Sequence, residues 1–279
     1  MSQPPSPSQQ RLIAILRGLR EGTGMSTYRL AETLGWSQPK VSRVERGAIR
    51  ATADDVEAWA EATGADPAAR EELSALAYSA WTEVRSWRAS HRGGLAARQR
   101  EMARMEHDAT QVRHFQPEAI PGLLQSENYA RRALAFADIT GKGGIESAAR
   151  ERMKRQAVLR DPGSRTFDFV LGEGALRWRP GPPELMEEQL GHLLAAAALP
   201  AVSVSVIPFS IEAAAAYQHA FTIYSIPDAS TVLVEMYHGE TFPSGRSDID
   251  LYERLFAALR ESALTGDDAL AFIRAAILR

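Results

Sequence analysis

The stretch from Ser26 to Gly47 constrains the fold most, because it predicts two short helices joined by a tight turn. Ser26 and Ser37 precede the two predicted helices, and a serine at this position accepts a hydrogen bond from a backbone N–H of the first turn. Gly35 lies between the helices, where the chain must turn sharply and glycine is favoured. Two helices joined in this way match a helix-turn-helix motif.

The second predicted helix has an apolar side and a polar side. Val41 and Val44 are expected to face the interior of the domain, and Ala31 to lie where the two helices cross. The residues expected to point outward are Gln38, Pro39, Lys40, Ser42 and Arg43. They include types that pair with base edges, since Gln pairs with adenine and Arg or Lys with guanine. Thr27 begins the first helix, where backbone N–H groups meet phosphates. The predicted DNA-binding residues are Thr27, Gln38, Pro39, Lys40, Ser42, Arg43 and Arg46.

The motif lies within a predicted all-α domain of five short helices over residues 10–80. The first helix spans Arg11–Arg20, where apolar residues recur every three or four positions. The stretch Thr52–Asp55 resembles a capping box at the start of the fourth helix, and Pro67 begins the fifth. Residues 1–9 are rich in Pro, Ser and Gln and are expected to be a disordered head.

The formal net charge of −3 is distributed unevenly along the chain. Residues 11–50 carry eight basic and three acidic side chains, whereas residues 51–80 carry one and seven. A basic segment that coincides with the motif indicates a face for a polyanion such as DNA. The alternative is a solvated helix face, which charge alone does not exclude.

The pattern changes after the helical domain. Residues 81–115 are rich in arginine and are expected to form a basic linker that runs into a connecting helix. Residues 116–279 mix helical and strand patterns and are predicted to form an α+β domain. The predicted strands are Thr166–Leu171, Val202–Ile207, Ala220–Ser225 and Thr231–Tyr237, of which the last two form a β-hairpin. The predicted helices are Ser126–Phe136, Glu146–Arg160, Pro183–Ala198, Ser247–Ser262 and Asp267–Leu278.

The stretch Ser26–Gly47 resembles the Xre/Cro-repressor family of helix-turn-helix domains, above all in its Val-Ser-Arg-Val-Glu-Arg-Gly ending. The resemblance covers residues 10–80 and implies a lambda-repressor-like domain. It assigns Glu45 and Arg46 to structure or to contacts with the DNA backbone. Base reading is then left to Gln38, Lys40, Ser42 and Arg43. Thr27 stands where members of the family often carry Gln.

Phe115–Ala130 and Phe169–Leu176 are similar to parts of a C-terminal domain that is common in regulators of high-GC bacteria. The whole chain resembles the antitoxin-like, WhiJ-type developmental regulators. This resemblance implies a transcriptional regulator with a small partner protein encoded by a neighbouring gene. The predicted fold class is therefore α+β: an N-terminal all-α, five-helix, lambda-repressor-like domain followed by an α+β C-terminal domain with a small mixed sheet.

Motifs for catalysis, metals and cofactors are weak in this sequence. It has no cysteine, its six histidines (91, 107, 114, 192, 219 and 238) show no HExxH pattern, and the glycines at 172 and 174 lack the third glycine of a dinucleotide fingerprint. Gly141-Lys142 lacks the earlier glycine of a phosphate loop. Glu173 and Arg177, four residues apart on a short predicted helix, either form an ion pair or line a ligand crevice. We expect no metal, no cofactor and no enzymatic activity.

The predicted function is that of a dimeric, sequence-specific DNA-binding transcriptional regulator, whose C-terminal domain supports dimerisation and binds a small-molecule effector or a partner protein. A homodimer is expected because one recognition helix reads too few base pairs for genomic specificity. The alternative is an antitoxin-like interaction protein that binds a small partner and regulates its own gene. The sequence shows neither a signal peptide nor a membrane span, so a cytoplasmic location is expected.

Overall fold

The chain divides into two units in the computed structural model. The first comprises Met1–Glu83 with Phe242–Asp248, and the second comprises Val84–Thr241 with Ile249–Arg279. Each unit has a hydrophobic core of its own. The structure describes residues 7–49, 51–81, 85–86, 93–138, 141, 143–160, 163, 165–226, 229–236, 239–243 and 245–277.

The described part of the first unit contains the five predicted helices. They are α1 (Pro7–Gly22), α2 (Thr27–Leu34), α3 (Gln38–Glu45), α4 (Ala53–Ala62) and α5 (Pro67–Trp81). The predicted capping box at the start of α4 is present, since the Thr52 hydroxyl accepts from the Asp55 N–H and the Asp55 carboxylate accepts from the Thr52 N–H, both at 2.9 Å.

Helix α1 begins earlier than the sequence pattern indicated. Residues 7–9 are helical, so the prediction of a disordered head is wrong for them, and residues 1–6 lie outside the described residues. Pro7 is compatible with this start because proline is tolerated in the first turn of a helix. Gln9 is only 7% exposed, so tertiary packing stabilises a turn whose polar composition is typical of a disordered segment.

Trp59 on α4 lies at the centre of the first unit's core. It is fully buried, and its indole N–H donates a hydrogen bond to the backbone oxygen of Leu16 on α1 at 2.9 Å. Its ring meets that of Trp36 edge-on, with centroids 6.1 Å apart. The same core buries the three residues predicted to face inward, Ala31, Val41 and Val44. Helix α3 is therefore held to the domain by its apolar side.

Beyond α5 the chain combines helices with a mixed sheet, which confirms the predicted α+β class. The helices are α6 (Gly94–Asp108), α7 (Glu127–Ala137), α8 (Ile145–Arg155), α9 (Glu173–Arg177), α10 (Pro183–Ala197), α11 (Arg246–Glu261) and α12 (Gly266–Ile277). The strands are β1 (Arg85–Ser86), β2 (Gln111–Gln116), β3 (Thr166–Gly172), β4 (Val202–Ile207), β5 (Phe221–Ile226), β6 (Ala229–Met236) and β7 (Gly239–Thr241). Their order is β1-β7-β6-β5-β2-β3-β4, in which β2, β3 and β4 are parallel and the other neighbours are antiparallel.

A central strand of this sheet is one that the sequence did not predict. Strand β2 pairs with β3 on one side and with β5 on the other, although all of it except Gln116 lies in the segment 81–115 that we expected to be a linker and a connecting helix. Its sequence, Gln-Val-Arg-His-Phe-Gln, contains only two apolar residues, Val112 and Phe115, at a spacing that shows no alternation. Long-range pairing on both sides, rather than local pattern, makes this segment a strand.

Strands β5 and β6 form the predicted β-hairpin. Ile226 pairs with Ala229, so the connection is shorter than the predicted loop, and residues 227–228 lie outside the described residues. Tyr237, the last residue of a predicted strand, and Leu278, the last residue of a predicted helix, also lie outside the described residues. Strands β1 and β7 were not predicted because they are only two and three residues long.

Buried charges lie between α6, α8 and the sheet. Arg98 on α6 is ion-paired with Glu240 on β7, and both residues are only 3% exposed. Arg155 on α8 lies against Glu106 on α6, with 3.3 Å between Nε and Oε2. Burial raises the pKa of Glu106 to about 7, even though Arg155 acts in the opposite direction.

Candidate nucleic-acid interface

The turn between α2 and α3 is fixed by local hydrogen bonds. The hydroxyl of Ser26 accepts a hydrogen bond from the backbone N–H of Arg29 at 3.1 Å, and that of Ser37 accepts one from Lys40 at 3.4 Å. Gly35 ends α2 with φ of 66°, a left-handed conformation that costs little only in glycine. These bonds confirm the caps predicted from the sequence and set the direction in which α3 leaves the turn.

The C-terminal end of α3 is tied to α1 by a buried ion pair. Arg20 Nε lies 2.6 Å from Glu45 Oε1, with 12% and 9% of the two side chains exposed. Arg17 also donates a hydrogen bond to the backbone oxygen of Glu45. The hydrogen bond with Glu45 raises the pKa of Arg20. Glu45 therefore positions α3, in agreement with the structural role that the family resemblance gives it.

The opposite side of α3 carries a row of mostly polar and mostly exposed residues. These residues are one or four positions apart along the helix, so they lie on one face of it. The row consists of Gln38, Pro39, Ser42, Arg43 and Arg46, of which all but the half-buried Ser42 are exposed. We call these five residues the α3 row. Arg43 Nε donates to the backbone oxygen of Pro39 at 3.3 Å and Arg46 Nε to that of Ser42 at 3.1 Å, so both arginine side chains lie along the helix.

Two of the predicted contact residues, one from each helix, are brought together. Gln38 Nε2 donates a hydrogen bond to Thr27 Oγ1 at 3.1 Å. This contact joins the first turn of α3 to the first turn of α2 and orients the Gln38 amide. Tyr28, the next residue of α2, is 71% exposed, and the sequence pattern did not single it out. The only sequence signal for Tyr28 was that an aromatic residue occupies a position outside the apolar spacing of α2.

Lys40 does not lie with the α3 row, so its side chain is not directed outward as predicted. Its contact with DNA bases stays a prediction. Its ammonium group is 2.7 Å from Asp55 Oδ1 and 3.8 Å from the centroid of the Trp36 ring. An ion pair and a cation–π contact therefore draw the side chain toward the start of α4. The sequence did not reveal this because Asp55 is 15 residues further along the chain.

Glu173 and Arg177 form the ion pair that was one of their two predicted interpretations. Arg177 Nε lies 3.1 Å from Glu173 Oε1, and the backbone N–H of Phe209 donates to Glu173 Oε2 at 2.9 Å. A small cavity of about 160 Å³ is lined by Arg177 but not by Glu173. Ligand binding by this pair stays a prediction.

The two glycines at 172 and 174 have a packing role. An added Cβ on either would lie 2.7 or 2.8 Å from the backbone oxygen of Pro117, closer than real contacts allow. Their spacing is thus explained by close approach of two backbone segments. Lys142, of the Gly-Lys pair considered as a phosphate loop, lies outside the described residues.

In the part of the chain that the structure describes, no three His, Cys, Asp or Glu side chains are grouped so that they could hold a metal ion. His91 and His238 lie outside that part. None of the described helices combines the length and the apolar character that a membrane span requires.

Two family models match the chain. Residues 11–73 match a model described as a helix-turn-helix domain, which includes α2, α3 and the α3 row. Residues 99–275 match a model described as a domain of unknown function (DUF5753). No significant match is found among curated proteins. Because the second model covers more than half of the chain, the protein belongs to the DUF5753 family, and it carries a helix-turn-helix domain at its N-terminus.

Proposed function

We propose that this protein is a sequence-specific DNA-binding transcriptional regulator that reads the major groove with α3. The α3 row carries the proposal, because it presents amide, hydroxyl and guanidinium groups on the outer side of a helix whose other side is buried. Helix α3 has eight residues and is therefore about 12 Å long, which suits the major groove.

The residues of the row have separate proposed roles. Gln38, whose amide is oriented by Thr27, and Arg43 contact base edges, since these side chains pair with adenine and guanine respectively. Arg46 follows the last turn of α3 and contacts a phosphate. The start of α2 at Thr27 meets a second phosphate, because helix N-termini attract anions. The Ser42 hydroxyl makes a weaker polar contact, and Pro39 contributes to the shape of the surface that meets DNA.

We further propose that the protein acts as a homodimer. An eight-residue recognition helix contacts only a few base pairs, which is too few to define a site in a genome. Two copies on half-sites about 34 Å apart provide the missing specificity. The DUF5753 domain supports dimerisation and changes DNA binding when an effector or partner is bound. In this role the protein is cytoplasmic and binds DNA without catalysing a reaction. Both points stay predictions.

Selection from a random double-stranded DNA library tests this proposal with the full-length protein. Enrichment of a sequence with two related half-sites is the expected result, and mapping of binding sites across the genome then identifies the targets. Failure to enrich any sequence, at low as well as physiological salt, overturns sequence-specific DNA binding.

A second candidate function is the antitoxin-like one, in which the DUF5753 domain binds a small partner protein encoded by a neighbouring gene. Two exposed aromatic side chains favour it: Phe136 is 57% exposed and Trp178 is 39% exposed, and their ring centroids are 5.9 Å apart. Exposed aromatic clusters are enriched at protein interfaces. Co-purification with the neighbouring gene product, and its loss in Phe136→Ser but not in the control Leu251→Ser, is the expected result.

A further inference from the structure

Three exposed aromatic side chains lie around the short helix α9 in the second unit. Phe209, which follows β4, is 72% exposed, and Trp178, which follows α9, is 39% exposed. Phe136, at the end of α7, is 57% exposed. Soluble monomers rarely expose several large apolar side chains next to one another, and aromatic residues are enriched in the cores of protein interfaces. The group therefore indicates an interaction surface.

Helix α9 brings the three rings into one row. The Trp178 N–H donates to the backbone oxygen of Gly174 at 2.8 Å, so Trp178 lies one helical turn beyond Gly174 on the same side of the helix. The ring of Phe209 lies over Gly174, because a Cβ added to this glycine would be 3.9 Å from Phe209 Cζ. Phe136 continues the row beyond Trp178, with ring centroids 5.9 Å apart.

The row is held in place by contacts with the rest of the unit. The backbone N–H of Phe209 donates to Glu173 Oε2 at 2.9 Å, which fixes the chain where the ring leaves it. The ring of Trp178 meets that of the buried Tyr129 edge-on, with centroids 6.0 Å apart. Side chains that are already ordered lose little entropy on binding, so the row is suited to a stable contact.

The two ends of the row carry opposite charges. At the Phe209 end, Glu118 is exposed, and its Cα is also 3.9 Å from the Cβ added at position 174. At the Phe136 end, Arg132 is exposed, and its Cζ lies 5.7 Å from the centroid of the Phe136 ring. Within the described part of the chain, neither charged group has an ion-pair partner. We call the three rings, Glu118 and Arg132 the α9 surface.

We propose that the α9 surface is the homodimer interface of this protein, with a second copy of the chain as its occupant. Charge complementarity carries the choice of a second copy. A two-fold axis through the middle of the row places Arg132 of each copy opposite Glu118 of the other. The aromatic rings then meet at the centre and an ion pair closes each end, which gives the interface an apolar core and a polar rim.

This interface deepens the proposed homodimer, and its role in regulation rests on that proposal. Dimerisation in solution does not require DNA, so the oligomeric state and the selection of DNA sites are measured separately. A protein that selects a DNA sequence but stays monomeric contradicts only the α9 interface. A protein that dimerises through the α9 surface but selects no DNA sequence contradicts only the proposed DNA reading.

Sedimentation equilibrium of the full-length protein at micromolar concentrations tests the interface. The wild type is expected to be a dimer, and Phe209→Ser to raise the dissociation constant of the dimer at least about tenfold, because a central aromatic ring is removed. Leu251→Ser, at a position on α11 that is 54% exposed, is the matched control and leaves the constant unchanged. A monomeric wild type overturns the proposal, also when Phe136 and Trp178 bind the product of a neighbouring gene instead. A dimer that tolerates Phe209→Ser overturns it as well.

Reversal of the two end charges tests the two-fold pairing. Arg132→Glu and Glu118→Arg each bring like charges together, so each single variant is expected to raise the dissociation constant about tenfold. The double variant exchanges the two charges and should regain most of the lost affinity. Arg254→Glu, an exposed position on α11, is the matched control. Thermal unfolding shows which variants are folded, and a folded double variant that regains no affinity contradicts the pairing.

Discussion

Gln38, the first residue of α3, donates a hydrogen bond from Nε2 to Oγ1 of Thr27, the first residue of α2, across 3.1 Å. The bond joins the two helix starts that face DNA in the proposed complex. It also leaves the amide oxygen of Gln38 to accept and one N–H to donate, which is the pair of groups that recognises adenine. In the proposed complex this bond couples a phosphate contact at one helix start to a base contact at the other.

Thr27→Val tests this coupling, because valine has the shape of threonine but cannot accept the hydrogen bond of Gln38. We expect discrimination at the base pair read by Gln38 to fall by about 1 kcal/mol. The salt dependence of binding should change by less than the loss of one phosphate contact would cause. Fluorescence anisotropy on the selected site and on single-base variants measures both. Thr33→Val, at the other end of α2, is the control. Uniform weakening on all sequences would make Thr27 a phosphate contact alone.

Arg43→Ala tests base reading by the α3 row. Arg43 is exposed, and the only hydrogen bond described for its side chain is to its own helix, so the substitution leaves the core intact. We expect a loss of about 1–3 kcal/mol on the selected site and a much smaller loss on random DNA. Arg29→Ala, which removes another exposed arginine, paired with Glu32, is the control. Equal losses on both DNAs would assign Arg43 to a phosphate.

Lys40→Met tests whether Lys40 stabilises the domain or reads bases. Because the ammonium group contacts Asp55 and Trp36, its removal is expected to lower the free energy of unfolding by about 1 kcal/mol. Affinity for the selected site and for random DNA should fall together and only slightly. Urea denaturation and anisotropy measure the two quantities. A loss confined to the selected site would return Lys40 to the base-reading residues.

Because the pKa of Glu106 is raised, we expect the stability of the DUF5753 domain to depend on pH. Its pKa is about 7 in the folded protein against an ordinary 4.5, so the folded state retains a proton that the unfolded state releases. This contribution to stability is fully present below pH 4.5 and is lost as the pH rises to about 7. Glu106→Gln removes it, so the free energy of unfolding of the variant should rise relative to wild type across this interval, by an amount of order 1–3 kcal/mol. Denaturation at several pH values measures the difference, and a difference that is independent of pH contradicts the assignment.

The local features of the first unit were predictable because they depend on neighbours in the sequence. The caps at Ser26 and Ser37 bond to N–H groups three residues away, and the apolar spacing in α3 determines which side is buried. The start of α1 was placed too late because packing of Gln9 adds stability that composition does not reveal. Strand β2 was missed because its hydrogen bonds go to β3 and β5, both far away along the chain.

By itself the sequence determined the two capped helices, the glycine turn between them and the polar outer face of α3, since each depends on atoms within one or two helical turns. Only the tertiary structure decided that Lys40 leaves that face for Asp55, and that Arg113 and Asp168 stand side by side on a central pair of strands. The physical reason is the same in both cases. A charged side chain is directed by the partner that lies nearest in space, and that partner belongs to another element whose position is set by the packing of the whole unit.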